Sequence, residues 1–172
     1  MNEERIIVIS GYFDPIHKGH IEYIQLAKKL GDKLIVILNN DNQCAMKKGK
    51  AFMPIEDKKA ILEAMEYVDE VFVSIDEDGS VCESLKAIKP HVFAQGGDRF
   101  SDEVPEGKVC RELGIEMVDN LGTKLQSSSD LIRAHKEFNS KHSLESAPEQ
   151  KQEIRLDTKA QKEFEENDQN SV

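Results

Sequence analysis

Arg5-Ile-Ile-Val-Ile-Ser10 runs straight into Gly11-Tyr-Phe-Asp-Pro-Ile-His-Lys-Gly-His20, so that an apolar run is followed by a turn and a helix start. The apolar run shows no alternation, which is typical of a parallel strand covered on both faces. In the turn, Gly11 and Gly19 let the backbone approach a ligand closely. Parallel sheets bind ligands outside the carboxyl ends of their strands, and this turn lies at such an end.

Short β-branched runs alternate with helical patterns along the first three quarters of the chain. This alternation predicts an α/β fold, a Rossmann-like doubly wound sheet of about five parallel strands with helices on both faces. The predicted strands are Arg5–Ser10, Lys33–Asn39, Glu70–Ile75, His91–Gln95 and Ile115–Val118. The predicted helices are Ile21–Leu30, Ile55–Tyr67, Val81–Lys89, Lys108–Leu113 and one that begins within Ser127–Asp130.

The domain organisation follows from a change in composition near Lys136. Residues 1–135 are predicted to form one folded domain. Residues 136–172 hold nine acidic and six basic side chains but six large apolar ones, too few to offset the entropy of ordering. A charged C-terminal tail, disordered or partly helical, is therefore predicted.

Composition excludes several classes of function. The 172 residues include 23 lysines and arginines against 33 aspartates and glutamates, a formal net charge of −10. Such a chain repels long polyanions, so we expect no nucleic-acid partner. Its apolar runs fall far short of a membrane-spanning helix, and we expect no membrane association. The three cysteines are widely spaced and odd in number, which favours a reducing, cytoplasmic location.

Two histidines, His17 and His20, stand three residues apart at the start of the predicted first helix. Near a helix start this spacing puts both on one side, beside backbone N–H groups and the positive end of the helix dipole. The pair therefore favours contact with phosphate. A pair of zinc ligands is the alternative, but no third ligand stands at a useful spacing. Either histidine can also be an ordinary cap or surface residue.

The stretch Cys44-Ala-Met-Lys-Lys-Gly-Lys-Ala51 is predicted to be a loop after the second strand. It carries three lysines and no acidic residue in an otherwise acidic chain, on the ligand side of the sheet. A solvated charged loop is the ordinary interpretation of such a run. Phosphate binding is the functional one.

Two later segments also follow strand ends. In Gln95-Gly-Gly-Asp-Arg99 the glycines permit close backbone approach, and Asp98 can accept a hydrogen bond from a nucleoside hydroxyl or amino group. In Gly122-Thr-Lys-Leu-Gln-Ser-Ser-Ser-Asp130 three serines open a helix, as N-caps or as an anion cradle.

The segment from Gly11 to His20 resembles the H-x-G-H signature of the cytidylyltransferase-like nucleotidyltransferases, with a G-x-F-D lead-in. The similarity covers residues 5–135 and is closest to the sugar-phosphate adenylyltransferases and to bacterial glycerol-3-phosphate cytidylyltransferase. It continues in these segments: Leu30-Gly-Asp-Lys-Leu-Ile-Val36, Asn40-Asp41, Lys47-Lys-Gly-Lys50, Tyr67-Val-Asp-Glu-Val71, Gln95-Gly-Gly-Asp98 and Ser127-Ser-Ser129.

The resemblance implies in-line attack by a substrate phosphate oxygen on the α-phosphorus of a nucleoside triphosphate, with release of pyrophosphate. Its catalytic residues would be His17, His20 and Lys47. The nucleotide-binding residues would be Gly11, Tyr12, Phe13, Asp14, Gly19, Gly97, Asp98, Ser127 and Ser128. Phe13 is expected to pack rather than react, and Asp14 to orient neighbouring backbone. The residues expected to bind the second substrate are Asp41, Lys50 and Lys124.

The expected partners are a nucleoside triphosphate and a phosphorylated sugar or polyol. Mg²⁺ is expected from triphosphate chemistry, with its protein ligands unknown, and the resemblance allows a homodimer. Lys124 and Lys58 stand where relatives carry arginine, which a lysine does not replace as a planar fork. The Gly-Gly-Asp segment favours ATP. Glycerol-3-phosphate cytidylyltransferase activity is one alternative, and a non-catalytic nucleotide-binding module is another.

Overall fold

A computed structural model of the chain describes residues 3–97, 104–122 and 128–142, with side chains for all but residues 141 and 142. Strands and helices alternate along most of this part. They run in the order β1 (Ile6–Gly11), α1 (Lys18–Lys28), β2 (Lys33–Leu38), α2 (Asp41–Lys48), α3 (Ile55–Glu63), β3 (Glu70–Val73), α4 (Cys82–Ile88), β4 (Val92–Gly96), α5 (Pro105–Leu113), β5 (Glu116–Leu121) and α6 (Ser128–His142).

The described strands form one five-stranded parallel sheet in the order β3-β2-β1-β4-β5. The chain winds outward from β1 through β2 to β3, then crosses back to β4 on the other side of β1. The order therefore reverses between β1 and β4, which is where open sheets of this type bind ligands. The predicted fold class is confirmed.

Each face of the sheet has its own apolar core. Ile24 and Ala27 of α1 and Leu62 of α3 pack on the face formed by alternate strand residues such as Ile9 and Val36. The opposite face carries Val8, Ile37 and Phe93, which pack with Leu85 of α4 and Val109 of α5. Both faces of the central strands are therefore buried, which explains why their sequences lack alternation.

The predicted loop after the second strand is wrong in part, because residues 41–48 form helix α2. Asn40 caps the helix: its side-chain oxygen accepts from the backbone N–H of Gln43, while the Gln43 side chain accepts from the N–H of Asn40. Gly49 ends the helix with a φ of +79°, a conformation that favours glycine. This capping box starts the helix, and the alanine, methionine and lysines that follow have high helix propensity.

The chain divides into two units, of which the first ends at Lys136 and the second begins at Glu137. Residues 143–172 lie outside the described part of the chain, so the expectation of a disordered or partly helical tail stays a prediction. Among the helices that are described, none combines the length and the apolar character needed to cross a membrane.

Candidate active site

The turn that follows β1 brings Phe13 back beneath the strand end. Phe13 has a φ of +46° and its side chain is 1% exposed, a strained conformation for a bulky residue that packing must hold. A Cβ built on Gly11 would lie 2.9 Å from the Phe13 ring. Gly11 is therefore required for space, because the ring occupies the position that any side chain would take.

Asp14 fastens this turn to the segment that follows α2. Its side chain is fully buried, and its two carboxylate oxygens accept hydrogen bonds of 2.8 Å from the backbone N–H groups of Phe52 and Met53. The expected backbone-orienting role of Asp14 fits this geometry. With both oxygens engaged and no exposed surface, Asp14 supports the site from beneath, and direct contact with a nucleotide stays a prediction.

Lys48, the neighbour of the predicted Lys47, contacts the turn that leads to the histidines. The Lys48 ammonium donates a 2.6 Å hydrogen bond to the backbone oxygen of Asp14, and its charge acts on both histidines. The Lys47 ammonium instead lies 4.3 Å from the centroid of the Tyr12 ring, a cation–π contact. Lys50 is exposed beyond the helix. The run of lysines signalled the cationic cluster but not which member turns inward.

His17 and His20 are brought together as predicted, at the N-terminus of α1. Their rings stack with centroids 3.8 Å apart, and the Phe13 ring lies 4.8 Å from His20 on a tilted plane. The Nδ1 atom of His20 accepts the backbone N–H of His17 at 3.2 Å. This bond leaves the proton of a neutral His20 on Nε2, where it can be donated to a ligand.

Burial keeps this histidine pair neutral. Burial, followed by the nearby charges of His17 and Lys48, lowers the pKa of His20 to about 3. Burial and then Lys48 also lower the pKa of His17. The Nδ1 atom of His17 is buried and has no hydrogen-bond partner among the described residues. The pair thus supplies neutral hydrogen-bond donors, while Lys48 supplies positive charge beside them.

Two more ligand-side segments border the turn. Gly97, after β4, has a φ of +73°, so this position needs glycine. Ser128, at the first turn of α6, donates from its hydroxyl to the backbone oxygen of Pro15 at 3.0 Å. The remaining predicted members of these segments, Asp98, Lys124 and Ser127, lie outside the residues that the structure describes.

Asp41, which was predicted to bind the second substrate, and Lys58, which stands where relatives carry arginine, lie in different environments. Asp41 is exposed in the first turn of α2, and no contact tests its expected role. Lys58 is fully buried, with its ammonium 3.5 Å from the Cys44 sulfur. In this position the Lys58 ammonium lies against α2, so its departure from the arginine pattern changes a buried contact between α2 and α3.

A resident metal ion does not fit the described part of the site. No group of three or more histidine, cysteine, aspartate or glutamate side chains there could hold one. His91 lies at the edge opposite the histidine pair, where its Nδ1 atom accepts the backbone N–H of Ile6 at the amino end of β1. The nearest carboxylate, Asp14, is already engaged by two N–H groups.

Several known proteins are similar to this chain. A family model described as cytidylyltransferase-like matches residues 8–135. An FAD synthase of Pyrococcus abyssi is 38% identical over 122 residues, which cover 70% of this chain and 76% of that protein.

Another relative, the bifunctional protein HldE of Hahella chejuensis, is 34% identical over 127 residues. The match covers 70% of this chain but 26% of that protein, so the chain spans about a quarter of the bifunctional relative. Among solved structures, a lipopolysaccharide core biosynthesis protein from Thermoplasma volcanium superposes with a TM-score of 0.60. It is 22% identical and the superposition covers 70% of this chain and 98% of that one, a likeness of fold.

Proposed function

This chain belongs to the cytidylyltransferase-like family and is a nucleotidyltransferase; from that premise we propose that it joins a nucleoside monophosphate to a phosphorylated sugar or polyol. The donor is a nucleoside triphosphate and the second product is pyrophosphate. ATP is the favoured donor, because the Gly96-Gly97-Asp98 segment resembles the sugar-phosphate adenylyltransferases, and CTP is the alternative. The unpaired cysteines favour the cytoplasm as its location.

The single observation that carries the proposal is the stacked histidine pair. Because the His17 N–H holds His20 by Nδ1, the Nε2–H of His20 is a fixed donor at the carboxyl edge of the sheet. A fixed neutral donor loses no energy to reorganisation when charge develops on a phosphate oxygen nearby. The positive end of the α1 dipole and the Lys48 ammonium add to the attraction at the same point.

The reaction asks the protein for positioning and charge stabilisation rather than for covalent chemistry. An oxygen of the acceptor's phosphate forms a bond to the α-phosphorus, and the bond from that phosphorus to the bridging oxygen of the β-phosphate breaks. The electron pair leaves with pyrophosphate. The attacking oxygen is already anionic, so no general base is needed, and His17 and His20 act as donors to the triphosphate.

Magnesium enters this scheme as part of the substrate. Triphosphates bind Mg²⁺ through their own oxygens, and the ion usually retains several waters. Since the described residues offer no set of ligands for it, we assign no step of the reaction to a metal ion held by the protein.

A second candidate is adenylyl transfer to a flavin mononucleotide, which would yield FAD. The similarity to the FAD synthase of Pyrococcus abyssi favours it, because that match covers 76% of the relative. Phe52 adds a local reason: its backbone N–H donates to the Asp14 carboxylate, next to the turn, while the residue is 58% exposed. An exposed ring there offers a stacking surface for a flavin.

Pyrophosphate release tests both candidates. The full chain would be incubated with Mg²⁺ and ATP, CTP or GTP, each paired with sugar phosphates, glycerol 3-phosphate or flavin mononucleotide. We expect turnover with one donor and one acceptor class, reduced at least about a hundredfold in His17→Ala and His20→Ala. His135→Ala, exposed on α6, is the matched control. Triphosphate binding without turnover for any acceptor would favour a non-catalytic binding module.

A further inference from the structure

The sheet opens between β1 and β4 at its ligand edge. These two strands pair through Ile7–Val92 and Val8–Phe93, although β1 continues to Gly11 and β4 to Gly96. By contrast, β1 stays paired with β2 along all six residues. The strands that flank the reversal of strand order therefore separate and leave a crevice between their carboxyl ends.

Gln95 stands at this crevice, two residues beyond the last β1–β4 pair. Strand alternation puts its side chain on the same face as Phe93, and an irregularity in the β4–β5 pairing falls between Ala94 and Gly96. Ala94 pairs with Val118 and Gly96 with Leu121, so the extra residue of this irregularity lies in β5 and β4 keeps its own alternation. Gln95 is followed by Gly96, on which the Tyr23 ring packs, and by Gly97, where an added Cβ would meet no atom within 4 Å.

The carboxamide of Gln95 is buried without being satisfied. The residue is 4% exposed, and its Oε1 atom has no hydrogen-bond partner among the described residues. Asn39, another buried polar residue at a strand end, differs: its side chain donates to the Gln43 side chain at 3.0 Å. Burying a polar atom without a hydrogen-bond partner lowers the stability of the fold, so the presence of a glutamine at position 95 needs another explanation.

We propose that Gln95 is a specificity-determining residue, whose side-chain oxygen accepts a hydrogen bond from a hydroxyl or amino group of a substrate bound in the β1–β4 crevice. This inference rests on the proposed function, since the crevice belongs to the same site. Gln95 is neutral, so it selects the uncharged part of a substrate, while His17, His20 and Lys48 serve the phosphates. The donor group belongs either to the nucleoside or to the acceptor.

If Gln95 serves binding, its unpartnered oxygen lowers the stability of the free protein and raises its affinity for substrate. The variant Gln95→Met measures both effects. Methionine has a similar length and no hydrogen-bonding requirement. Removing a buried, unpartnered oxygen leaves the melting temperature of the free protein unchanged or higher. The same change weakens binding of the substrate that uses the oxygen, by roughly three- to tenfold for one neutral hydrogen bond. A residue that serves the fold alone would not separate these two quantities.

The experiment uses the full chain with Mg²⁺ present. Calorimetry gives the Kd of ATP and CTP, pyrophosphate release gives the KM of whichever acceptor is used, and thermal unfolding is followed without ligand. Gln95→Leu repeats the test with a second apolar side chain. Gln25→Met is the matched control, because Gln25 is exposed on α1. A raised Kd for the triphosphate assigns the donor group to the nucleoside, and a raised acceptor KM assigns it to the acceptor.

Two results overturn the inference alone. One is wild-type Kd and KM in both variants of Gln95 while the wild-type protein turns over. The other is a lower melting temperature in both variants, which would make the carboxamide a support of the fold. If the wild-type protein binds no triphosphate and releases no pyrophosphate, the proposed function fails, and the inference fails with it.

Discussion

His20 accepts the backbone N–H of His17 at its Nδ1 atom, and the two rings stack 3.8 Å apart. One residue therefore fixes both the tautomer and the orientation of the other. The N-cap residue of α1 thus supplies a side chain for the ligand and a backbone group for the second histidine. The three-residue spacing of His17 and His20 therefore determines both how α1 begins and how the two imidazole rings are placed for a ligand.

Acid destabilises the fold through His20. Its pKa falls from about 6.5 in the unfolded chain to about 3 in the folded protein. Between these two pH values the unfolded state binds one more proton at His20 than the folded state does. The contribution of His20 to the free energy of unfolding is therefore fully present above pH 6.5 and declines as the pH falls toward 3. We expect a slope of up to about 1 kcal/mol per pH unit from this residue.

Urea unfolding between roughly pH 4 and pH 7 checks this slope against His20→Asn. The asparagine side-chain oxygen can accept the His17 N–H in place of Nδ1, but it does not titrate. The dependence of unfolding free energy on pH should therefore be flatter in the variant. Parallel curves would contradict the assignment of the slope to His20.

Removing the charge of Lys48 raises the pKa of both histidines. Lys48 is the cation whose charge lowers them, so Lys48→Met lessens the repulsion that opposes protonation. Histidine proton shifts in an NMR titration give the values directly. Lys47→Met is the control, since Lys47 lies over Tyr12 and does not contribute to either shift. Equal effects of the two variants would contradict the contact pattern.

Asp14 contributes to stability through two charge-assisted hydrogen bonds. In Asp14→Asn one acceptor oxygen becomes an NH₂ group that faces a backbone N–H, and the free energy of unfolding should fall by about 2 kcal/mol. Asp14→Ala should lose more, because Phe52 and Met53 then keep unpaired N–H groups. Asp41→Asn, at an exposed helix start, should cost less than about 1 kcal/mol. Chemical denaturation measures all three.

A methyl group at Gly11 displaces Phe13 and, through it, His20. The added Cβ would lie 2.9 Å from the ring, so the ring must move. We expect Gly11→Ala to lower kcat for pyrophosphate release at least about tenfold, because a donor displaced by 1 Å loses much of its effect. Gly79→Ala adds the same methyl group where no atom lies within 4 Å. A variant of Gly11 with normal kcat would show that the Phe13–His20 contact does not position the donor.

The sequence predicts the sheet and the histidine pair well because both rest on local signals. Unbroken apolar runs indicate strands buried on both faces, and the spacing of His17 and His20 requires no knowledge of distant contacts. The helix α2 also had a local signal, the capping box of Asn40 and Gln43, which the adjacent lysines obscured. That signal indicates a helix that begins at Asp41 and includes residues 44–48 of the expected loop.

Other features of the site depend on distant packing. Lys47 and Lys48 differ by one position on a helix, a rotation of about 100°, and the sequence cannot tell which one meets Asp14. The burial of Lys58 against Cys44 joins two helices, so no local pattern predicts it. Gln95 was passed over because a glutamine at the end of a strand is unremarkable until its surroundings are known.

The separation of β1 from β4 bears on how such a protein can change its ligand. Beyond Phe93 no residue pair of the ladder joins the two strands, so sheet pairing does not tie the backbone at positions 95–97 to the turn that carries the histidines. Substitutions on the β4 side of the crevice can therefore change the contacts to a substrate while the β1 side keeps its geometry. In such an architecture, evolution can change the choice of substrate through residues after β4 and leave the phosphate-binding histidines unchanged.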